Sequence, residues 1–159
     1  MKKLQTLLLS FIFAALFSVT AFAAFPNEIN EGDIALGGIQ IGATEDYVKR
    51  IYGVPNDTSY DSNGVWGNVK IYNYGNSFFV YFSNGKVIEA KTTANNGITA
   101  PPGFTVGMPI SRVENYYGAN KGFAKKKGEY CRYNAKWLNI SYEADHSGKI
   151  NLIRIYQNP

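Results

Sequence analysis

Cysteine and histidine are nearly absent from this sequence. Cys131 and His146 are the single examples of each among 159 residues. One cysteine excludes an intrachain disulfide, so the stability of the fold must come from burial of a core. A lone histidine excludes paired-histidine metal sites, and Asp145-His146-Ser147-Gly148 is predicted to be a solvated turn, a poor place for a catalytic triad. We therefore predict no catalytic residue, no metal ligand and no cofactor. Cys131 is predicted to be a small buried side chain or a free thiol.

A strong charge of one sign is also lacking. The formal net charge is +4, which is too weak to predict a nucleic acid as partner. The densest run of charge is Lys125, Lys126 and Lys127. These lysines form either a solvated loop or a weak contact with an anionic surface.

Long apolar runs are limited to the N-terminus. Leu4 to Val19 is largely apolar, follows Lys2 and Lys3, and precedes the small-residue site Ala21-Phe22-Ala23. This order is typical of a secretory signal peptide, and the run is shorter than the roughly 20 residues of a bilayer span. We predict a signal peptide over residues 1–23, cleavage near Ala23, and export to the periplasm or the medium. A retained membrane anchor is the alternative.

One motif occurs twice. Ile41 to Gly53 reads IGATEDYVKRIYG, and Val106 to Gly118, sixty-five residues later, reads VGMPISRVENYYG. Thr44 is a suitable N-cap, the apolar positions form one stripe, and Gly53 ends the pattern. The motif predicts a short amphipathic helix over residues 44–52 and a second helix that ends at Gly118.

Aromatic and β-branched segments follow each predicted helix and favour antiparallel strands. The expected strands are 58–61, 69–74, 77–82 and 86–93 in the first half, and 129–134, 137–142 and 149–156 in the second. The predicted fold class is α+β, with two tandem repeats, each a short helix followed by an antiparallel β-meander, forming a shared sheet with helices on one face. The predicted segments after the signal are a lead-in (24–38), repeat 1 (39–94), a linker (95–103) and repeat 2 (104–159).

The repeated positions carry a resemblance to a known family. In the first copy they are Ile41, Gly42, Thr44, Val48, Tyr52, Gly53, Pro55, Phe82, Asn84, Gly85, Lys86 and Val87; in the second they are Val106, Gly107, Val113, Tyr117, Gly118, Gly148, Lys149 and Ile150. The pattern resembles the tandem-repeat fold of β-lactamase inhibitor proteins. It is also similar to the small lipoprotein domain of the outer-membrane β-barrel assembly machinery. The chain departs from the former in lacking disulfides and from the latter in lacking a cysteine after the signal.

Strand alternation predicts which side chains a partner could reach. Val80, Phe82, Ile140 and Tyr142 are assigned to the face under the helices. Phe79, Tyr81, Trp137, Asn139 and Ser141 are assigned to the opposite face, and Tyr72, Tyr74, Lys91, Tyr130, Arg132 and Arg154 join them by the same alternation. Aromatic residues with interspersed arginine are typical of protein-binding surfaces. The alternative is that the aromatic residues form ordinary cross-strand pairs or pack against the lead-in.

These observations predict an exported, non-catalytic protein-binding module, inhibitor-like or envelope-associated. Its binding residues are predicted to be Tyr72, Tyr74, Phe79, Tyr81, Tyr130, Arg132, Trp137 and Arg154. Two alternatives remain: a structural or assembly factor of the cell envelope, and an envelope hydrolase with an unrecognised site. The sequence identifies neither the partner nor an oligomeric state.

Overall fold

A computed structural model describes residues 27–119 and 129–159 of the chain. The predicted signal peptide, its cleavage site near Ala23, and Lys125, Lys126 and Lys127 lie outside these residues. Within the described part of the chain, no helix is long and apolar enough to cross a membrane.

The described residues form two short helices and nine strands after a single 3₁₀ turn at Glu31–Asp33. In chain order they are β1 (Ala35–Leu36), β2 (Ile39–Gln40), α1 (Glu45–Tyr52), β3 (Asp57–Asn63), β4 (Gly67–Tyr74), β5 (Phe78–Ser83), β6 (Lys86–Thr92), α2 (Ser111–Tyr117), β7 (Tyr130–Ala135), β8 (Leu138–Ala144) and β9 (Ile150–Gln157).

Seven of these strands make one antiparallel sheet in the order β3-β4-β5-β6-β9-β8-β7. The strands β6 and β9 meet in its middle, where Lys91 pairs with Arg154. The lead-in runs along β7 at one edge, and Ile29 donates a backbone hydrogen bond to the Asn134 carbonyl at 2.9 Å. The strand β3 forms the other edge of the sheet.

The predicted fold class, α+β with two tandem helix-plus-meander repeats, is wrong. The chain is mostly β, with one seven-stranded antiparallel sheet and two helices of only eight and seven residues. In the described part of the chain, four strands follow α1 but three follow α2. The recurring motif therefore predicts two similar helix ends and does not predict the architecture of the whole chain.

The physical reason lies in what covers the sheet. Each helix is too short to supply a layer of its own: α1 completely buries Val48, and α2 completely buries Val113. Residues of the lead-in, of the β1–β2 hairpin and of the segment before α2 supply much of the remaining cover, and they are Ile34, Leu36, Ile39, Ile98, Ala100, Phe104 and Ile110. Two of these, Ile98 and Ala100, come from the predicted linker and are packed in the core.

The local prediction for the first helix is confirmed. Thr44 is the N-cap of α1, and its hydroxyl accepts a hydrogen bond from the Tyr47 backbone N–H at 3.2 Å. Gly53 follows the last turn at φ 76°, ψ −157°, and Gly118 follows α2 at φ 92°, ψ 161°. Residues with a side chain rarely adopt these backbone angles, which explains why glycine occupies both helix ends.

Candidate functional site

The pairing register assigns each strand residue to one face of the sheet, because directly paired residues point to the same side. Tyr72 pairs with Val80, and Tyr74 pairs with Phe78. Val80 and Phe78 belong to the buried core, so both tyrosines lie on the face under the helices. The prediction that Tyr72 and Tyr74 belong to the accessible face is wrong.

The contacts of these tyrosines confirm the correction. Tyr72 is 3% exposed, and its ring centroid lies 4.7 Å from that of Phe82. The Tyr74 ring packs 5.4 Å from Tyr52 of α1. Alternation in β4 does not reveal the error, because one set of alternate positions holds Val69 and Ile71 and the other holds the tyrosines. Pairing with β5 decides which set is buried under the helices.

Five of the eight predicted residues lie on the opposite face, which we call the open face: Phe79, Tyr81, Tyr130, Arg132 and Arg154. Two rows of paired residues cross it. One row runs through Phe79, Lys91, Arg154, Ser141 and Arg132, and the next through Tyr81, Glu89, Tyr156, Asn139 and Asn134. The side chains of both rows therefore form one continuous surface over five strands.

Cations and aromatic rings contact one another along these rows. The Lys91 ammonium lies 5.1 Å from the centroid of Tyr81 and 5.5 Å from that of Phe79. The Arg154 guanidinium lies 4.3 Å above the Tyr156 ring. Arg132 Nη1 donates to the Tyr156 hydroxyl at 3.4 Å. We call these six residues the cation–aromatic cluster. Mutual contacts restrict their rotamers before any partner arrives, which lowers the entropic cost of binding.

Two short residues of the open face are covered by this cluster. Asn139 and Ser141 were predicted to be accessible, and the register does place them on the open face. They are nevertheless only 1% exposed. Ser141 lies between the longer side chains of Arg132 and Arg154, and Asn139 lies between Asn134 and the longer side chain of Tyr156. The longer side chains therefore form the accessible surface.

Trp137, the last predicted binding residue, lies outside both rows. It is in the two-residue turn between β7 and β8, after Lys136 at φ 54°, and its side chain is largely exposed. Lys136 lies 6.0 Å above its ring and pairs with Glu31 at 2.8 Å. A lysine at positive φ gives little sequence signal for a turn, which is why the strand prediction began one residue too early.

Sequence reasoning missed Tyr156 and Glu89. Strand alternation assigns both residues to the open face, because Tyr156 is two residues from Arg154 and Glu89 is two residues from Lys91. The Glu89 carboxylate lies 4.0 Å from Arg154 Nη1. Burial raises the pKa of the Glu89 carboxyl above its ordinary value, although the charges of Arg154 and Lys91 act to lower it.

An open pocket of about 280 Å³ adjoins the cluster. Tyr81, Glu89 and Tyr156 form its wall on the sheet. Asp61 on β3 and Trp66 in the β3–β4 turn line it from the edge of the sheet. The lining is completed by three apolar residues and one amide, which are Val69, Ile88, Pro159 and Gln157. The pocket therefore combines three aromatic residues and two acidic residues with an apolar part.

Cys131 and His146 are the remaining candidates for chemistry. Cys131 is buried on the face under the helices, and burial raises the pKa of its thiol to about 12, so the thiol stays protonated at neutral pH. The His146 side chain is 99% exposed in the β8–β9 turn, with Nδ1 3.5 Å from Glu129 Oε1. Within residues 27–119 and 129–159, no group of three His, Cys, Asp or Glu side chains is arranged to hold a metal ion.

Solved structures share this fold. An extracellular protein containing a SCP domain from Bacillus anthracis str. Ames matches with a TM-score of 0.60 and 13% identity, over 74% of this chain and 44% of that protein. A cysteine-rich secretory protein from Staphylococcus aureus subsp. aureus Mu50 matches with a TM-score of 0.61 and 12% identity, over 86% of this chain and 48% of that protein. The fold is that of part of these two proteins. The chain spans less than half the length of either.

A DUF4309 family protein from Bacillus subtilis subsp. subtilis str. 168 is less similar, with a TM-score of 0.48 and 12% identity over 83% of this chain and 88% of that protein. No family model matches the sequence. No curated protein matches it either. The resemblance to β-lactamase inhibitor proteins and to the assembly lipoprotein stays a prediction.

Proposed function

We propose that this protein is an exported, non-catalytic module that binds another protein through the open face of its sheet. The observation that carries the proposal is the cation–aromatic cluster, which joins Phe79, Tyr81, Lys91, Arg154, Tyr156 and Arg132 on one side of the sheet while both helices contact the other side. Aromatic and arginine side chains are the residues enriched at the centres of protein interfaces.

Export is supported by the residues and by the structural neighbours. The N-terminal sequence has the order of a secretory signal, and two proteins with a similar fold are described as extracellular and secretory. The non-catalytic part of the proposal is supported by Cys131 and His146. Burial keeps the Cys131 thiol protonated, and the His146 side chain lies in solvent at a turn.

The charges of the open face favour a partner that presents acidic groups. Lys91, Arg154 and Arg132 lie in one row, in which Arg154 and Arg132 are separated by Ser141. Glu89 in the next row neutralises Arg154 only weakly, because its carboxylate lies as far as 4.0 Å from Arg154 Nη1. Complementary charge at such a row increases the association rate and selects among partners.

Site-specific photo-crosslinking in the cells from which the gene comes would test the proposal. Phe79 is replaced by p-benzoylphenylalanine in one variant. Val54, 86% exposed in the loop after α1, is replaced in the control. We expect a discrete crosslinked protein from position 79 and none from position 54. Tyr81 is replaced in the same way in a further variant. Equal adducts from the open-face positions and position 54, or no adduct from either position 79 or position 81, would contradict the proposal.

A charge control adds a second test. Lys91→Ala should reduce the yield of the adduct at position 79, because the variant removes one cation of the row. Lys86→Ala makes the same change in an exposed residue at the start of the same strand and should leave the yield unchanged. If both lysine variants reduce the yield equally, the open face has no special role.

A further inference from the structure

The pocket shares Tyr81 and Tyr156 with the cation–aromatic cluster and adds the acidic residues Glu89 and Asp61. Tyr81 and Tyr156 stand directly opposite Glu89 on the two neighbouring strands. Directly opposed side chains in antiparallel strands have their Cβ atoms about 4.5–5.5 Å apart, so the two rings flank the carboxylate on both sides.

The far wall of the pocket is held in place by the β3–β4 turn. Trp66 lies in this turn, and its backbone carbonyl accepts a hydrogen bond from the buried Ser83 hydroxyl at 2.9 Å. Asp61 on β3 adds a second carboxylate to the lining. The aromatic and acidic groups thus come from four strands and a fixed turn.

The Glu89 carboxylate is incompletely compensated. Its side chain is 24% exposed, and Arg154 Nη1 lies 4.0 Å away, beyond the usual range of a hydrogen bond. Burial raises the pKa of this carboxyl despite the opposing charges of Arg154 and Lys91. A cation that entered the pocket would supply the missing charge and donate a hydrogen bond.

The lining also restricts the chemistry of the occupant. Aromatic faces attract ammonium and guanidinium groups, and carboxylates pair with them. Two carboxylates disfavour an anion. Val69, Ile88 and Pro159 suit the apolar stem of a long side chain, whereas a wholly apolar group would desolvate Glu89 further without a hydrogen bond. At about 280 Å³ the pocket lies just below the roughly 300–1,000 Å³ typical of small-molecule sites, and this volume suits one side chain.

We infer that the pocket formed by Trp66, Tyr81, Glu89, Tyr156 and Asp61 receives a lysine or arginine side chain of the protein that binds the open face. The inference rests on the proposed function and adds the chemistry of the contact. The partner presents acidic groups over the row of Lys91, Arg154 and Arg132, and a cation beside them. This alternation of charge fixes the orientation of the partner on the sheet.

The pocket can be tested without the partner. The chain has two tryptophans, so Trp137→Phe leaves Trp66 as the only indole and as a reporter in the pocket. The fluorescence of Trp66 is followed during titration with the methylamide of N-acetyl-lysine and, separately, with that of N-acetyl-norleucine, which has a similar apolar chain and no charge. We expect saturable binding of the lysine amide, and norleucine amide binding weaker by about tenfold or more, the value of a charged hydrogen bond.

Matched variants assign the effect to the pocket. Glu89→Gln keeps the shape of the side chain and should weaken binding of the lysine amide by about tenfold. Glu143→Gln removes the same charge from the open face outside the pocket and should change binding less than about twofold. Asp61→Asn, on the exposed edge strand, provides a second pocket variant, and far-ultraviolet circular dichroism confirms that each variant is folded. Equal binding of norleucine amide, or equal loss in Glu143→Gln, would overturn the inference.

The crosslinking assay separates this inference from the proposed function. Excess lysine amide should reduce the adduct at position 79. If the adduct forms and the amide neither binds nor competes, the inference fails and the proposed function stands. If the amide binds and no adduct forms from the open face, the proposed function fails. If the lysine amide binds but does not reduce the adduct at position 79, the pocket is a small-molecule site. That result would overturn the assignment to a side chain of the partner.

Discussion

The Tyr72 hydroxyl donates a hydrogen bond of 2.5 Å to Glu45 Oε2, which joins the middle of β4 to the first turn of α1. Lys70 Nζ binds Glu45 Oε1 at 2.9 Å from the same strand. Because α1 has only two turns, these polar contacts add to the packing of Val48 in fixing the position of the helix on the sheet.

Glu45→Ala should lower the free energy of unfolding by about 1–2 kcal/mol at neutral pH, because the variant leaves the buried Tyr72 hydroxyl without its charged acceptor. Chemical denaturation measures this change. Asp46→Ala is the control, since Asp46 is the next residue of the same helical turn and is exposed. An equal loss in both variants would attribute the effect to the helix dipole rather than to the contact with the sheet.

The same carboxylate predicts a dependence on pH. Burial would raise the pKa of Glu45, but hydrogen bonds from Tyr72 and Lys70 and the charges of Lys70 and Lys49 hold the pKa below 4.5. A carboxyl whose pKa is lower in the folded state stabilises the fold at pH values above its pKa in the unfolded state. This contribution is lost as the pH falls through the pKa of the folded state. The difference between wild type and Glu45→Ala should therefore shrink below pH 4.5, as measured by denaturation at a series of pH values.

Glu89 should show the opposite behaviour. Burial raises its pKa above 4.5, so the folded state favours the protonated carboxyl, and ionisation costs stability as the pH rises above that value. We expect Glu89→Gln to be neutral or stabilising at pH 7 and to approach wild type below pH 4.5. Urea denaturation at both pH values measures this. A marked loss of stability at pH 7 would show that the pairing with Arg154 outweighs the cost of burial.

Gly53→Ala and Gly118→Ala should each lower stability by about 1–3 kcal/mol, because both backbones occupy a region that glycine alone adopts readily. A Cβ atom at either position would meet no atom within 4 Å, so the cost is conformational and not steric. Gly64 also has open space but no positive φ, and Gly64→Ala should be nearly neutral in the same thermal melts. Wild-type melting of either helix-end variant would reject this account.

Tyr72→Ala and Trp137→Ala test the corrected assignment of the faces. Tyr72 packs under α1, so its truncation should cost about 3 kcal/mol or more. Trp137 is 61% exposed in a turn, and its truncation should change stability by less than about 0.5 kcal/mol. Denaturant titrations in which Tyr72→Ala cost no more stability than Trp137→Ala would contradict the corrected assignment.

Local chemistry in the sequence was sufficient to predict the first helix, but it predicted neither the β1–β2 hairpin nor the turn at Lys136 and Trp137. Thr44, the apolar stripe and Gly53 lie within one stretch of chain, and α1 begins and ends within a residue of the prediction. The faces of β4 could not be predicted in the same way, because both sets of its alternate residues are largely apolar or aromatic. The pairing of Tyr72 with Val80 decides the matter, and this pairing depends on the register of two strands.

The architecture was mispredicted for a related reason. The repeated motif, which ends at Gly53 and again at Gly118, predicts two helix ends. The cover of the sheet depends instead on Ile34, Ile98 and Phe104, which lie in segments without a periodic pattern. Tertiary packing places these residues, and neither helical nor strand periodicity marks them. Segment 95–103 was predicted to be a linker because of its prolines and glycines, yet it contributes two core side chains.

The position of β9 has a consequence for how the protein is made. This strand is the last of the seven in sequence, yet it lies between β6 and β8 in the middle of the sheet. During synthesis, β6 and β8 each retain an open edge until residues 150–157 have left the ribosome. A nascent chain in this state is prone to pair with other strands, and loss of residues 150–157 would separate β3–β6 from β7 and β8.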